Sequence, residues 1–124
     1  GFEKGDLVIK LLADILRDLI PGGQFIGHVG GDDFVVILDG HRSKEYCKEI
    51  IERFESEVLT LYHETDIQNG YVTTISRRGI VERFPLITLT AVMLNNKSYH
   101  YKNSFEVSSL LADLKTKEKR LKVG

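Results

Sequence analysis

The chain has 124 residues, of which 42% are hydrophobic and 28% charged, and its 17 basic and 18 acidic side chains leave a formal net charge of −1. This length accommodates one domain of ordinary size, and the composition is that of a folded globular protein. The charge balance excludes binding of nucleic acid or anionic membranes through bulk positive charge. The apolar runs are too short for a membrane-spanning helix, which takes about 20 residues.

The chain opening and the cysteine content favour a reducing, cytoplasmic location. Residues 1–6 contain no charged-then-apolar leader, so we expect no signal peptide. Cys47 is the only cysteine, which excludes an internal disulfide and a cysteine-based zinc site. We therefore expect one soluble intracellular domain.

The first predicted elements are a helix and a β-hairpin. From residue 6 to residue 20, apolar side chains recur every three or four positions, which predicts an amphipathic helix with Asp6 as its N-cap. A Pro-Gly-Gly sequence at residues 21–23 ends it. Strand-like runs at residues 24–29 and 34–38 flank a Gly-Gly-Asp-Asp sequence, which predicts a hairpin.

The remaining elements complete an α+β pattern. They are a helix at residues 43–62 with one apolar and one charged face, a polar loop at 64–70, a strand at 71–76, a turn at 77–79, a pairing segment at 80–84, a buried strand at 86–94, a turn at 95–98 and a helix from residue 103 or 104. This order predicts a mostly antiparallel sheet covered by helices.

The hairpin turn at residues 30–33 is the most informative stretch. Gly30 and Gly31 lack Cβ atoms, so a bulky ligand can approach the backbone. The carboxylates of Asp32 and Asp33 are ligands that a divalent cation prefers, and magnesium is often bound by such groups together with substrate phosphates. A plain hairpin turn, which uses the same residue types, is the open alternative. The four histidines, at positions 28, 41, 63 and 100, lack the spacing of a helical metal pair and are interpreted as structural or surface residues.

Residues 28–38, His-Val-Gly-Gly-Asp-Asp-Phe-Val-Val-Ile-Leu, closely resemble the signature hairpin of GGDEF domains, the diguanylate cyclase family. Residues 1–6 resemble the family's G-H-x-x-G-D segment, with Phe2 in place of its His. Residues 86–92 lie where the family has a T-x-S-x-G strand, although the glycine is absent. The helix around Asp113 and its basic tail lie where the family has phosphate-binding Lys and Arg.

The resemblance implies a nucleotide-cyclase palm-like (ferredoxin-like) α+β fold, and we expect residues 1–124 to form one GGDEF domain. In this bacterial signalling family, two GTP-loaded domains meet as a homodimer and condense two GTP to cyclic di-GMP with Mg²⁺ or Mn²⁺. The turn at residues 77–79 and the Phe-Pro at 84–85 resemble a subgroup that follows EAL and CBS modules. Covalently linked sensory or EAL/CBS domains are thus expected partners, whereas nucleic acid is not.

The resemblance also assigns roles at the hairpin. Asp32 takes the position of a catalytic, metal-binding carboxylate, and Asp33 takes the catalytic position where the family has Glu. Gly30 and Gly31 let the backbone approach the substrate.

Outside the hairpin, the resemblance gives three further substrate-binding residues. Asp6 matches the residue that reads the guanine edge, and Lys119 and Arg120 are the candidates for phosphate contacts. The alternatives for these residues are a helix cap for Asp6 and a solvated helix end for the basic tail.

Three departures from the family pattern leave the activity open. The family's first strand, with its second metal carboxylate and a guanine-reading Asn, should precede Gly1, so we expect the domain to be incomplete at its N-terminus. Asp33 is one methylene shorter than Glu. The R-x-x-D product site is replaced at residues 21–24, which predicts no product feedback. The hypotheses are an active cyclase, a degenerate domain that binds guanine nucleotide and regulates an attached domain, or a dimerisation scaffold.

Overall fold

The computed structural model describes residues 2–40, 42–96 and 100–123, and side chains only within residues 4–118. The chain divides into two compact units, Gly1–Leu89 and Thr90–Gly124, and each is described by itself. In chain order the elements are α1 (Phe2–Leu19), β1 (Phe25–Gly30), β2 (Asp33–Ile37), α2 (Ser43–Glu57), a 3₁₀ turn (Val58–Leu61), α3 (Glu64–Asn69), β3 (Tyr71–Ile75), β4 (Val81–Pro85) and α4 (Ser104–Val123).

The core of the first unit lies where α1 meets α2 and the 3₁₀ turn. Because the apolar side chains of α1 recur at helical spacing, they form one stripe that packs against the second helix. The most deeply buried side chains are Ile15 and Phe54, which are 0% and 1% exposed. The complete buried cluster is Leu12, Ile15, Leu16, Ile20, Phe54 and Val58.

The hairpin of β1 and β2 packs against this cluster through one face. The two strands are antiparallel, with Ile26 paired to Val36 and His28 paired to Phe34. Ile26, Val36 and Phe34 contact the buried cluster and are themselves half-buried. At the open end of the hairpin, the Gln24 side-chain carbonyl accepts a 2.7 Å hydrogen bond from the Asp39 backbone N–H. Packing against the helices and this hydrogen bond together fix the hairpin's position in the unit.

An arginine on α2 links the two long helices at the surface. Arg53 donates a 2.7 Å hydrogen bond to Asp18 of α1 and a 3.1 Å hydrogen bond to Glu57 of α2. The hydrogen bond to Asp18, followed by that to Glu57, raises the pKa of Arg53 above its ordinary value. The guanidinium therefore stays charged at any pH at which the protein folds.

Strands β3 and β4 form a second hairpin that is separate from the first in the described residues. They pair antiparallel from Tyr71 opposite Pro85 to Ile75 opposite Val81. Except for the first two residues of β3, both strands are exposed. The Arg83 guanidinium lies 4.8 Å from the ring centroid of Tyr71.

The second unit contains α4, whose first turn is capped by side chains. The side-chain oxygen Oδ1 of Asn103 accepts a 2.9 Å hydrogen bond from the Glu106 backbone N–H. The Glu106 carboxylate accepts a hydrogen bond of 3.3 Å from the Lys102 backbone N–H. This reciprocal pattern is close to a capping box and defines the predicted helix start. Upstream, the Tyr101 hydroxyl donates a 2.8 Å hydrogen bond to the Asn95 carbonyl.

The predicted α+β class with antiparallel pairing is confirmed. The first hairpin and the strand at residues 71–75 lie where they were predicted, and β4 pairs back on β3 as expected. Of the described helices, none is long and apolar enough to cross a membrane. The predicted turn at residues 95–98 lies partly outside the described residues.

The start of α1 differs from the prediction. The helix begins at Phe2, so Asp6 lies inside it and is not its N-cap. The Lys4 ammonium lies 4.1 Å from the ring centroid of Tyr62, a cation–π contact that holds the first turn against the rest of the unit.

Two differences concern helical segments. The helix predicted over residues 43–62 changes at Val58 into a 3₁₀ turn, where the Thr60 hydroxyl donates a 2.7 Å hydrogen bond to the Glu57 carbonyl. The predicted loop at residues 64–70 was wrong, because α3 forms there. Its first turn carries Glu64 and Asp66, which favour the positive end of a helix dipole, and Gly70 ends it in the left-handed conformation with φ of 82°.

The predicted buried strand at residues 86–94 was also wrong. These residues are in no strand, and Ile87 and Met93 are exposed. A strand needs a neighbour to take its backbone hydrogen bonds, and both described hairpins pair internally. The Ile87 N–H donates instead to the Tyr62 hydroxyl at 2.9 Å. β-branched composition favours extended backbone but does not supply a partner.

Replacing Phe54 by Ala tests the core. We expect a loss of about 3–5 kcal/mol in the free energy of unfolding, because the change leaves a cavity between the helices. The matched control is Phe105→Ala, since Phe105 is 80% exposed; it should change stability by no more than about 0.5 kcal/mol. Urea unfolding followed by circular dichroism measures both, and equal losses would contradict this core.

Candidate functional site

The candidate site is the tip of the first hairpin. His28 pairs with Phe34, but Gly30 pairs with Asp33, so the register shifts by one residue just before the tip. This bulge leaves Gly31 and Asp32 as the two residues of the connecting turn. Because a bulge increases the local twist, it aims the tip away from the line of the strands.

The two tip glycines are required by their backbone conformations. Gly30 has φ of 143° and Gly31 has φ of 52°, both in regions that residues with a Cβ rarely adopt. A Cβ built at either position would meet no atom within 4 Å, so the backbone of the tip faces open space. The predicted approach of a bulky ligand to this backbone is therefore sterically feasible.

Asp32 and Asp33 place two carboxylates on adjacent residues of this turn. Asp32 lies in the turn itself and Asp33 opens β2, and both are exposed. They are attached to a rigid support, because β2 continues into the half-buried Phe34 that packs on the core. This arrangement offers carboxylate oxygens to a ligand that arrives from solvent.

The two carboxylates of the tip are a donor set that a divalent cation uses. Magnesium is commonly held by one or two carboxylates, with waters and substrate phosphates completing its shell. Within residues 2–40, 42–96 and 100–123, no three His, Cys, Asp or Glu residues are grouped so that they could hold a metal ion. At the tip, a cation bound by Asp32 and Asp33 would need further ligands to complete its shell.

Asp6, predicted to read guanine, is exposed on the first turns of α1. It does not join the tip carboxylates in a metal-binding group within the described residues. Its predicted alternative role as an N-cap is excluded, because the helix begins four residues earlier. Its assignment to the substrate stays a prediction.

Lys119 and Arg120, the predicted phosphate contacts, lie in α4 of the second unit. Their side chains fall outside the described part of the structure, as does His41. The assignment of either side chain to a phosphate therefore stays a prediction.

Cys47, the single cysteine of the chain, is half-buried on α2. Burial raises the pKa of its thiol above the usual value. The thiol is therefore protonated at neutral pH, which is the state of an unreactive structural cysteine.

His28 is a feature of the site that the sequence reasoning missed. Its ring stacks on Phe34 with 4.5 Å between the ring centroids and 7° between the planes. Its Nε2 lies 2.8 Å from the carbonyl oxygen of Gly31. The sequence did not reveal this pairing, because a regular register from Gly30 and Asp33 would place Val29 opposite Phe34, and the bulge shifts the pairing to His28.

The β1–β2 hairpin lies within a segment that is similar to known proteins. The family model described as "Diguanylate cyclase, GGDEF domain" matches residues 1–84. Diguanylate cyclase DgcP of Escherichia coli is 30% identical over 88 residues, which are 71% of this chain and 25% of that protein. A diguanylate cyclase of Vibrio cholerae is 38% identical over 39 residues, 32% of this chain and 12% of that protein. No solved structure matches the chain.

The chain belongs to the GGDEF domain family. It spans a quarter or less of the length of these two curated relatives. The family match contains α1, both hairpins and the Gly-Gly-Asp-Asp turn, and it ends within β4. The α4 helix with Lys119 and Arg120 lies beyond it.

Alanine substitutions at the tip glycines should have unequal effects. Gly31→Ala should cost about 1 kcal/mol of unfolding free energy, because its φ lies in the left-handed helical region. Gly30→Ala should cost more, about 1–3 kcal/mol, because φ of 143° lies outside any region that alanine favours. Gly22→Ala is the control, since Gly22 has an ordinary φ and open space around it. Urea unfolding tests this order, and equal effects at all three positions would contradict it.

Proposed function

We propose that the chain binds a guanine nucleotide together with a divalent metal ion at the tip of the β1–β2 hairpin and acts in cyclic di-GMP signalling. The observation that carries this proposal is the pair of exposed carboxylates, Asp32 and Asp33, on a glycine turn within the segment that matches the GGDEF family. A plain turn does not need two adjacent carboxylates on a bulged tip that the core supports.

In this proposal the residues of the tip bind and orient the nucleotide. Asp32 supplies a carboxylate oxygen to the metal, and Gly30 and Gly31 allow the phosphates to approach the backbone. A bound Mg²⁺ or Mn²⁺ neutralises negative charge on the phosphates. Asp6 is proposed to recognise the guanine edge, and Lys119 or Arg120 to contact phosphate.

Condensation of two GTP to cyclic di-GMP is the second candidate function. It is favoured by the similarity to two proteins named diguanylate cyclases and by the carboxylate at Asp32. The 3′-hydroxyl of each nucleotide would attack the α-phosphorus of the other and release pyrophosphate, so two loaded copies must meet. Asp33 weighs against turnover, because a carboxylate displaced by one methylene is poorly placed to act on reacting groups.

The proposal extends to the setting of the chain. We take residues 1–124 as one GGDEF domain that works in the cytoplasm as a homodimer and is linked covalently to sensory, EAL or CBS domains. The alternative to catalysis is regulation, in which nucleotide binding changes the activity of the linked domain.

Calorimetric titration of GTP into the protein with magnesium tests the proposal, with mass spectrometry of the same sample to detect product. Binding with cyclic di-GMP formed establishes a cyclase. Binding without product establishes a guanine-nucleotide sensor. Absence of binding contradicts the proposal and leaves the dimerisation scaffold.

The substitution Asp32→Ala should abolish magnesium-dependent GTP binding, because it removes the carboxylate proposed to hold the metal. Asp14→Ala is the matched control: Asp14 is an exposed aspartate of α1 whose 3.3 Å ion pair with Arg17 lies on the surface. The control should bind like the parent chain. Unchanged affinity in Asp32→Ala would overturn the metal assignment.

Lengthening the second carboxylate should separate the two candidate functions. In Asp33→Glu we expect cyclic di-GMP formation to rise by about tenfold or more, because the carboxylate regains the reach of the family's Glu. Asp33→Asn is the control and should form no product. If Asp33→Glu binds GTP but yields no more product than the parent chain, the length of this side chain does not limit turnover.

A further inference from the structure

His28 connects the hairpin tip to the core of the first unit. The imidazole lies flat against Phe34, with 4.5 Å between ring centroids, and Phe34 packs on the buried cluster. On its other side the imidazole reaches the tip, where Nε2 lies 2.8 Å from the Gly31 carbonyl oxygen. A continuous series of contacts therefore runs from the core through Phe34 and His28 to Gly31.

The hydrogen bond between His28 and Gly31 has a defined direction. A carbonyl oxygen can only accept, so Nε2 must carry the proton, and the neutral ring must be the Nε2–H tautomer. The stack on Phe34 fixes the plane of the ring and hence the direction of this N–H. The Nε2–H of His28 is thus directed at the Gly31 carbonyl oxygen.

Orienting the Gly31 carbonyl also orients Asp32. The carbonyl carbon of Gly31 and the nitrogen of Asp32 belong to one planar peptide unit, and no cis peptide bond occurs in the described residues. In a trans unit the N–H points opposite to the C=O. Holding the carbonyl toward His28 therefore turns the Asp32 N–H away from the imidazole and fixes the backbone from which the Asp32 carboxylate extends.

Stability of the core does not explain this arrangement. His28 is exposed, and so is Gly31, so neither group is a buried polar atom that needs a partner. An exposed hydrogen bond contributes little to the free energy of unfolding. What it can do is narrow the conformations of the tip, which contains two glycines, the residue type with the greatest backbone freedom.

We propose that His28 is a positioning residue, which holds the Gly31–Asp32 peptide in the orientation that presents Asp32 to a metal-bound nucleotide. This inference rests on the proposed function for its consequence in binding, but not for the contact itself. His28 acts through Gly31 and touches neither metal nor nucleotide.

The first test is nuclear magnetic resonance of the ligand-free 124-residue protein. Imidazole nitrogen shifts should identify the neutral His28 ring as the Nε2–H tautomer. His28→Phe keeps a flat ring for Phe34 but has no donor, so the amide signals of Gly31 and Asp32 should shift and broaden. His28→Gln, whose side-chain amide is a donor, should restore them in part. The Nδ1–H tautomer, or unchanged tip signals in His28→Phe, would overturn the proposal.

The second test is the affinity for magnesium–GTP. His28→Phe should bind about three- to tenfold more weakly, the range expected for one lost hydrogen bond, and His28→Gln should stay within about twofold of the parent chain. His63→Phe is the matched control, because His63 is an exposed histidine of the same unit with no described side-chain contact. Equal affinity of the parent chain and His28→Phe would overturn the positioning role.

The two tests distinguish a failure of this inference from a failure of the proposed function. If the parent chain binds no GTP, the proposed function fails, while the tautomer and the tip signals still decide whether His28 orients Gly31. If His28→Phe and His28→Gln lower the urea midpoint equally and by more than His63→Phe does, His28 serves the fold alone and the inference fails.

Discussion

The burial of Ile15 and Phe54 between α1 and α2 is the constraint on which the rest of the first unit depends. The six-residue cluster around them is the surface on which the β1–β2 hairpin lies, through Ile26, Phe34 and Val36. A two-stranded hairpin is marginal by itself in water, so its position and twist are determined by this support. The tip glycines can adopt these backbone angles because they lack a Cβ, and the packed strands behind them hold the turn in place.

At the hairpin tip, two exposed carboxylates are attached to strands that pack on the core. Buried carboxylates would be costly to ionise unless paired, whereas Asp32 and Asp33 are exposed to solvent. A metal that brings its own phosphate ligands needs only a few protein oxygens, provided that these are held in place. Under the proposed function, the fold contributes orientation and the nucleotide contributes most of the coordination.

The sequence predicted what depends on local pattern. Helical spacing in α1 and α2, the Pro-Gly-Gly stop and the paired strands around the glycine turn require only neighbouring residues, and they were placed correctly. The start of α1 was predicted too late, at Asp6, and the contact of Lys4 in its first turn with Tyr62 is one that no local pattern reveals. The segment at residues 86–94 has the composition of a strand, but pairing requires a neighbour that composition does not reveal. At the site, the residue types of the tip were evident, whereas the link from His28 to Gly31 required the register of the hairpin.

The segment after β4 that forms no strand has a consequence for handling the protein. Residues 86–92, Leu-Ile-Thr-Leu-Thr-Ala-Val, contain no charge and no proline, and they lie outside any strand. A short, uncharged, β-branched sequence that lies outside any strand is the kind that stacks with identical copies into intermolecular sheets. A single charge introduced at an exposed position of this segment would interrupt the uncharged run and limit aggregation.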